Sequence, residues 1–383
     1  DHRGLAVIDL TESRYDRQER IWWWDQSRLA TACVLVVGAG ALGNEIVKNL
    51  CLVGVGRVDV VDMDTIEHSN LARCALFRES DEGRPKAEVL VEAAAAINPD
   101  VTLRAFVAPV QALGSGTLAD YDLVIAGLDN REARLWVNGV CRLLGRYWVD
   151  GAIEGLQGLV RVFGPEGPCY ECTLGDADHQ AIGHRRSCAL LSPGEIASGR
   201  TPTNATSASV VAALEVQEAI KVIVGRTDLV ALVGRVWRME GETMLTSVIG
   251  YQDDPDCFAH DRMERLVGGP DRFATLAEAV DQVARREGVR ASVVYLREDL
   301  LVIDPCSACG AGGRIIGLRP MLPPGSGRCA ECDADRPVRS QTAVALDDPL
   351  SATPWDSWLW PRSELVALGT GDGSVHVALE GSR

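Results

Sequence analysis

The hexapeptide Gly38-Ala39-Gly40-Ala41-Leu42-Gly43 constrains this chain more than any other feature. It stands between an apolar run of buried-strand length (33–38, CVLVVG) and a stretch with apolar residues at helical spacing (41–53). Glycines at these places allow a tight turn, close approach of a ligand to the backbone, and a helix N-terminus whose amides face a phosphate. A second strand is expected at 58–62 (VDVVD). It ends in Asp62, about 20 residues past the third glycine, where a carboxylate can accept ribose hydroxyls. Taken alone, the turn suits a nicotinamide-dependent oxidoreductase as well as an ATP enzyme.

The alternation continues beyond this βαβ unit. Pro85 suits the first turn of a helix running to about Ile97, with Asn98-Pro99 as its stop. Strands are expected at 101–107 and 122–126, a helix at 131–144 and a strand near 147–152. This order predicts an α/β fold with a doubly wound, mostly parallel, Rossmann-like sheet. Residues 164–203, rich in Gly, Pro, Ser, Cys and charge, read as a long crossing loop. A buried helix is expected at 206–224 and further strands within 229–249. The division expected is 1–260 for the nucleotide domain and 261–383 for a smaller αβ domain. The second has a helix near 275–287, strands near 291–303, a cysteine module at 306–332 and an irregular tail.

Composition narrows the function. The formal charge of −16 is the wrong sign for gripping nucleic acid. No run of 18 or more apolar residues stands anywhere, so no membrane span is expected, and the polar N-terminus is unlike a secretory signal. A cytoplasmic location is the expectation. Twelve cysteines then point to metal rather than disulfides. The spacing Cys306-x2-Cys309-x19-Cys329-x2-Cys332 is that of a zinc ribbon, and four ligands make the ion structural.

The residues after the second strand decide between the nucleotide classes. Asp62-Met63-Asp64-Thr65-Ile66-Glu67-His68-Ser69-Asn70-Leu71-Ala72-Arg73 resembles the DxDxIxxSNLxR stretch of the ubiquitin-activating and ThiF/MoeB-type adenylyltransferase superfamily. Further matches follow in order. They are Arg14-Tyr15-Asp16-Arg17-Gln18, Arg84-Pro85-Lys86, Leu128-Asp129-Asn130 with Arg134, and Pro202-Thr203-Asn204 through Val216-Gln217-Glu218-Ala219-Ile220-Lys221. The resemblance covers roughly residues 14–260. One departure is Cys74, where the family commonly has Gln after the motif arginine.

The resemblance implies ATP-dependent adenylation of the C-terminal carboxylate of a ubiquitin-like or sulfur-carrier protein. Gly38, Gly40 and Gly43 would face the phosphates and Asp62 the ribose. Asp64, Ser69, Asn70, Arg73, Lys86 and Asn130 would line the nucleotide, and Asp129 would hold Mg²⁺. Asp64 is also open to a plainer use, bracing the turn after the strand. Arg17 would reach the γ-phosphate from the other half of a homodimer. The family's first zinc site implies that Cys169 and Cys172 pair with Cys257 and His260, a Cys₃His set suited to Zn²⁺. In the crossing loop Cys188 follows His184-Arg185-Arg186-Ser187, and the arginines favour its thiolate. By the resemblance it would take the activated carboxyl as a thioester and pass it to a conjugating-enzyme-like partner. The alternative ending is a thiocarboxylate on a sulfur carrier; no rhodanese-like pattern is evident in the tail, which favours the thioester. Trp22-Trp23-Trp24 sits where the family packs a helix on the nucleotide domain.

Overall fold

The strand β1 (Cys33–Val37) is central because it is apolar on both faces, as a strand flanked by parallel neighbours must be. A computed structural model describes residues 13–128, 130–175, 202–260, 262–263, 265–370 and 373–381. Two short helices, α1 (Asp16–Glu19) and α2 (Gln26–Thr31), precede β1. After it come α3 (Ala41–Val53), β2 (Arg57–Val61), α4 (Lys86–Ala95), β3 (Thr102–Phe106) and β4 (Leu123–Ala126). Next are α5 (Arg131–Leu143), β5 (Trp148–Glu154), β6 (Gln157–Phe163), α6 (Ala205–Ile223), β7 (Arg235–Glu240) and β8 (Leu245–Gly250).

These strands form one sheet in the order β3-β2-β1-β4-β5-β6-β7-β8. Its first five strands are parallel, and β6 to β8 add an antiparallel flank. The expected mostly parallel α/β sheet is present; the flank begins at the β5–β6 hairpin. α3 and α6 pack on one face around Ile46, Leu50, Val211 and Ala219, while α5 covers the other through Trp136, Val137 and Val140. Local chemistry sets the helix limits. Asn204 caps α6 by accepting from the Ser207 amide at 2.8 Å, and Gly54 ends α3 in the left-handed conformation at φ 78°.

The second sheet contains β9 (Leu266–Val267), β10 (Ala291–Ile303), β11 (Ile315–Leu318), β12 (Val338–Ala345), β13 (Trp358–Leu359), β14 (Ser363–Thr370) and β15 (Gly373–Glu380). One helix, α7 (Leu276–Glu287), lays Leu276, Ala279, Val280 and Val283 on its core beside Trp355, Trp358 and Trp360. The tail expected to be irregular is therefore mostly strand. The apolar run of 365–368 followed by the alternating apolar positions of 373–380 is the signal, masked in the sequence by the Trp- and Pro-rich stretch before them. The two sheets meet at Glu364. Its buried carboxylate accepts from the Ser115 amide at 2.9 Å and hydroxyl at 2.7 Å. Burial pushes its pKa up to about 7.

The tryptophan run does not form a helix. Trp23 and Trp24 pack on the first core, whereas Trp22 is 78% exposed and lies under the Arg226 guanidinium. No helix among the described residues is long and apolar enough to cross a membrane.

One group inside this fold could be charged only at a cost. Glu215 of α6 is wholly buried, with neither carboxylate oxygen hydrogen-bonded, and burial raises its pKa well above the ordinary value. An acid whose folded pKa is raised favours the fold most at low pH, and that contribution fades as pH climbs above about 4.5. Glu215→Gln should therefore melt higher than the parent at pH 8, by about 4 °C, and close to it at pH 4.5. Thermal unfolding at the two pH values measures this, and a variant less stable at pH 8 would contradict a neutral Glu215.

Candidate nucleotide and metal sites

The glycine turn sits at the carboxyl end of β1, beside the equivalent turn after β4. Gly38 has φ 100°, and a side chain there would meet the Gly127 carbonyl oxygen at 2.6 Å. A Cβ on Gly43 would stand 2.0 Å from the Gly38 carbonyl oxygen. Nothing lies within 4 Å of the corresponding position on Gly40. Two glycines are thus required by the turn itself, while the third faces open space at the N-cap of α3, where no side chain occupies the first amides.

Asp62 fixes this turn. Its carboxylate accepts from the Ala39 amide at 2.7 Å and from the Asp64 amide at 2.8 Å. Burial pushes its pKa up, opposed by those two amides and by Lys86. Asn44, which the sequence reading passed over, does the complementary work. Its amide nitrogen donates to the carbonyls of Ala39 (2.9 Å) and Gly40 (3.1 Å), and its oxygen accepts from the Leu76 amide at 3.0 Å. An asparagine in the first turn of α3, in line at helical spacing with the apolar Ala41 and Val47, was the available signal.

Of the two motif cations, Lys86 is tied to this turn through Asp64. Lys86 Nζ donates to Asp64 Oδ2 at 2.8 Å, and the Lys86 side chain is 13% exposed. Burial works against its charge, but Asp64 and Asp62 together hold its pKa above the ordinary lysine value. Arg73 donates to the Ser69 carbonyl at 2.7 Å. Burial pushes the Cys74 thiol up to about 11, against the positive charges of Arg73 and Lys86. Asn70 is buried, its side-chain oxygen accepting from the Glu67 amide at 2.9 Å, and the Ser69 hydroxyl donates to Glu67 at 3.3 Å. Asn130 caps α5 by accepting from the Ala133 amide at 2.7 Å. Arg17 lies in α1. Asp129 and Cys188 fall outside the described residues, as does most of the crossing loop.

Cys169, Cys172, Cys257 and His260 converge, as do Cys306, Cys309, Cys329 and Cys332; within each set the donor atoms lie within 4.8 Å of one another. Cys169 Sγ stands 3.7 Å from the sulfurs of both Cys172 and Cys257, and Cys172 Sγ is 3.2 Å from His260 Nε2. In the second set the Cys306–Cys332 and Cys309–Cys329 sulfurs are 3.6 Å apart. Zn–S bonds of 2.3 Å in a tetrahedron put sulfurs about 3.8 Å apart, so both donor sets fit zinc by chemistry and by spacing. Burial lowers the His260 pKa, favouring the neutral imidazole that a metal needs. The Cys309 and Ala308 amides hold the Cys306 thiol at about 6, toward the thiolate.

A Rossmann-type glycine turn with an acidic clamp and a lysine held beside it defines an α/β nucleotide-binding protein. The ThiF family matches residues 15–259, and the chain belongs to that family of adenylyltransferases. The SAMP-activating enzyme E1 of Haloferax volcanii is 33% identical over 258 residues, which are 66% of this chain and 90% of that protein. The sulfur carrier protein adenylyltransferase of Thermus thermophilus is 44% identical over 156 residues, 38% of this chain and 57% of its own length. The NEDD8-activating enzyme E1 catalytic subunit of Dictyostelium discoideum is 43% identical over 158 residues, 37% of this chain and 35% of its own length. A crystal structure of E. coli MccB with ATP shares the fold, with TM-score 0.54 and 22% identity over 66% of this chain and 75% of that one. The family assignment removes the nicotinamide alternative.

Metal analysis of the purified chain should return two zinc equivalents, one for each cluster. Cys309→Ser should lose one of them and leave the other, since the clusters share no ligand. Loss of both, or retention of both, would contradict two independent sites.

Proposed function

We propose that this chain adenylates the C-terminal carboxylate of a ubiquitin-like or sulfur-carrier protein, using ATP and Mg²⁺. The observation that carries the reading is the grouping of Asp62, Asp64 and Lys86 at the Gly38–Gly43 turn. A triphosphate needs cations close to a surface of free amides, and this is where the chain supplies both. Lys86 and Arg73 would leave Asp64 and the Ser69 carbonyl for phosphate oxygens, while Asp62 would accept from the ribose. Asp129 would hold the metal, and Arg17 would act from a second copy in a homodimer. With charge neutralised, a carboxylate oxygen attacks the α-phosphorus and the bond to the bridging oxygen breaks. Pyrophosphate leaves and the carboxyl becomes an acyl adenylate.

A protein substrate fits the outer flank of the sheet. The edge strand β8 is exposed along its whole length and presents Leu245, Val248 and Ile249. An uncovered apolar edge is the kind of surface a partner protein covers. In the next step the Cys188 thiolate would displace AMP, forming a thioester that a conjugating-enzyme-like protein accepts. The relative named a sulfur carrier protein adenylyltransferase favours the other ending, a thiocarboxylate formed without an enzyme thioester.

ATP–pyrophosphate exchange should require a small carrier protein with a free C-terminal glycine. Lys86→Ala should lower it about a hundredfold or more. Exchange unaffected by Lys86→Ala would overturn the phosphate site. A covalent carrier adduct, cleaved by thiol and lost in Cys188→Ala, should separate the two endings; exchange without an adduct in the parent would select the thiocarboxylate.

A further inference from the structure

Arg142 is a buried cation without a carboxylate. It stands in the last turn of α5, 6% exposed, and its Nη1 donates to the carbonyls of Gly164 at 3.2 Å and Gly167 at 3.0 Å. Its Nε has no hydrogen-bond partner, and no acidic side chain among the described residues pairs with the guanidinium. The carboxyl end of a helix offers a cation only about half a negative charge. A buried charge ordinarily finds a full one.

One turn back on the same face, Asn138 repeats the pattern. It is buried, and its Oδ1 accepts from the Tyr170 amide at 2.9 Å, yet its Nδ2 has no hydrogen-bond partner. Two unmatched buried donors at this spacing call for an acceptor beside α5.

What α5 faces here is the cluster of Cys169, Cys172, Cys257 and His260. The Gly164 and Gly167 carbonyls lie just before Cys169 in the chain and Tyr170 just after it. The turn Phe258–His260 packs on α5 as well. Burial pushes the Cys169 thiol up, and the Asn138 amide is the foremost group opposing it. Burial lowers the His260 pKa, and the Arg142 charge adds to that effect. The two side chains thus act on one ligand from each half of the set.

Three thiolates and a neutral imidazole around Zn²⁺ sum to one negative charge. The carboxylates of Asp253, Asp254 and Glu171, which also act on His260, increase it. Arg142 supplies the opposite sign, and a thiolate sulfur is an acceptor of the kind Asn138 Nδ2 lacks.

We propose that Arg142 and Asn138 are positioning residues for zinc in the Cys₃His cluster: Arg142 is the counter-charge of the loaded site, and Asn138 Nδ2 donates to the Cys169 sulfur. Together they anchor the metal to α5, the helix that covers one face of the first sheet. Neither role involves the nucleotide, so both stand whether or not the chain adenylates a carrier.

Zinc release from the full chain to a coloured chelator tests the pair, in a Cys309→Ser background so that only this cluster is loaded. Arg142→Met and Asn138→Leu should each speed release about tenfold, whereas Arg142→Lys, which keeps the charge, should stay within about threefold of the parent. Cobalt in place of zinc gives a second readout. Asn138→Leu should move the sulfur-to-cobalt absorption to longer wavelength, because a thiolate freed of a hydrogen bond gives up charge more readily. Release unchanged in Arg142→Met and Asn138→Leu overturns the proposal, and an unshifted cobalt band overturns the Asn138 contact. Equal acceleration in Arg142→Met and Arg142→Lys also overturns it, since Arg142 would then only brace the Gly164 and Gly167 carbonyls. Should an apolar variant fail to fold, Arg142→Gln and Asn138→Asp carry the same comparison, each with faster release expected. A parent that holds no zinc in the Cys309→Ser background overturns the zinc assignment itself.

Discussion

The site depends on two glycine turns touching. β1 and β4 are parallel neighbours, and the chain crosses to opposite faces of the sheet after them, which leaves a crevice between their carboxyl ends. The crevice closes tightly at its base because the Gly127 carbonyl occupies the space where a side chain on Gly38 would be. Asp62 arrives from the next strand and binds the Ala39 amide, and Asn44 holds the carbonyls of the same turn. The nucleotide surface is therefore set by backbone packing before any ligand enters. Pre-organisation of this sort leaves less to be ordered on binding.

Charge is arranged on that rigid base with its own internal partners. Lys86 rests on Asp64 and Arg73 on a backbone carbonyl, so neither cation is buried without a counterpart. This matters in a chain of formal charge −16, where a local positive surface has to be built against the average field. The partners are exchangeable: a carboxylate at the mouth of the crevice yields its lysine to a phosphate more readily than a buried one would. Asp64, 55% exposed, is placed for that, whereas Asp62 is bonded to two amides and stays with the turn.

Much of this was legible because the informative residues are close in sequence. The strand–turn–helix of 33–53, the run from Asp62 to Arg73, Lys86, and both metal clusters were found from spacing or family resemblance. Each reports a local geometry or a fixed ligand pattern. The supports were not legible. Arg134 was noted only as part of a motif, and Asp150, Arg161 and Asn44 were not singled out at all. Their meaning lies in contacts between α5, β5 and β6, or between α3 and the segment near Leu76, which no periodicity encodes. The C-terminal strands were missed for a related reason. β14 and β15 pair with each other, but the aromatic stretch before them dominates the local pattern, and those tryptophans turn out to fill the core beneath the sheet.

The buried charges around Arg134 are divided unequally. Two carboxylates lie near Arg134, yet they are not equivalent. Asp150 has both oxygens on arginines, whereas Glu215 has no hydrogen-bonded oxygen, and burial and Asp150 together push it toward the neutral acid. If both were ionised, each arginine could be shared between two anions and the guanidiniums would have alternative geometries. Arg134 and Arg161 share Asp150 as their hydrogen-bonded carboxylate, and the Arg134 guanidinium also donates to the Leu128 and Gly151 carbonyls. A single carboxylate bridging two arginines thus ties α5, β5 and β6 together at one buried point, where well-packed apolar side chains would leave the strands and helix free to shift.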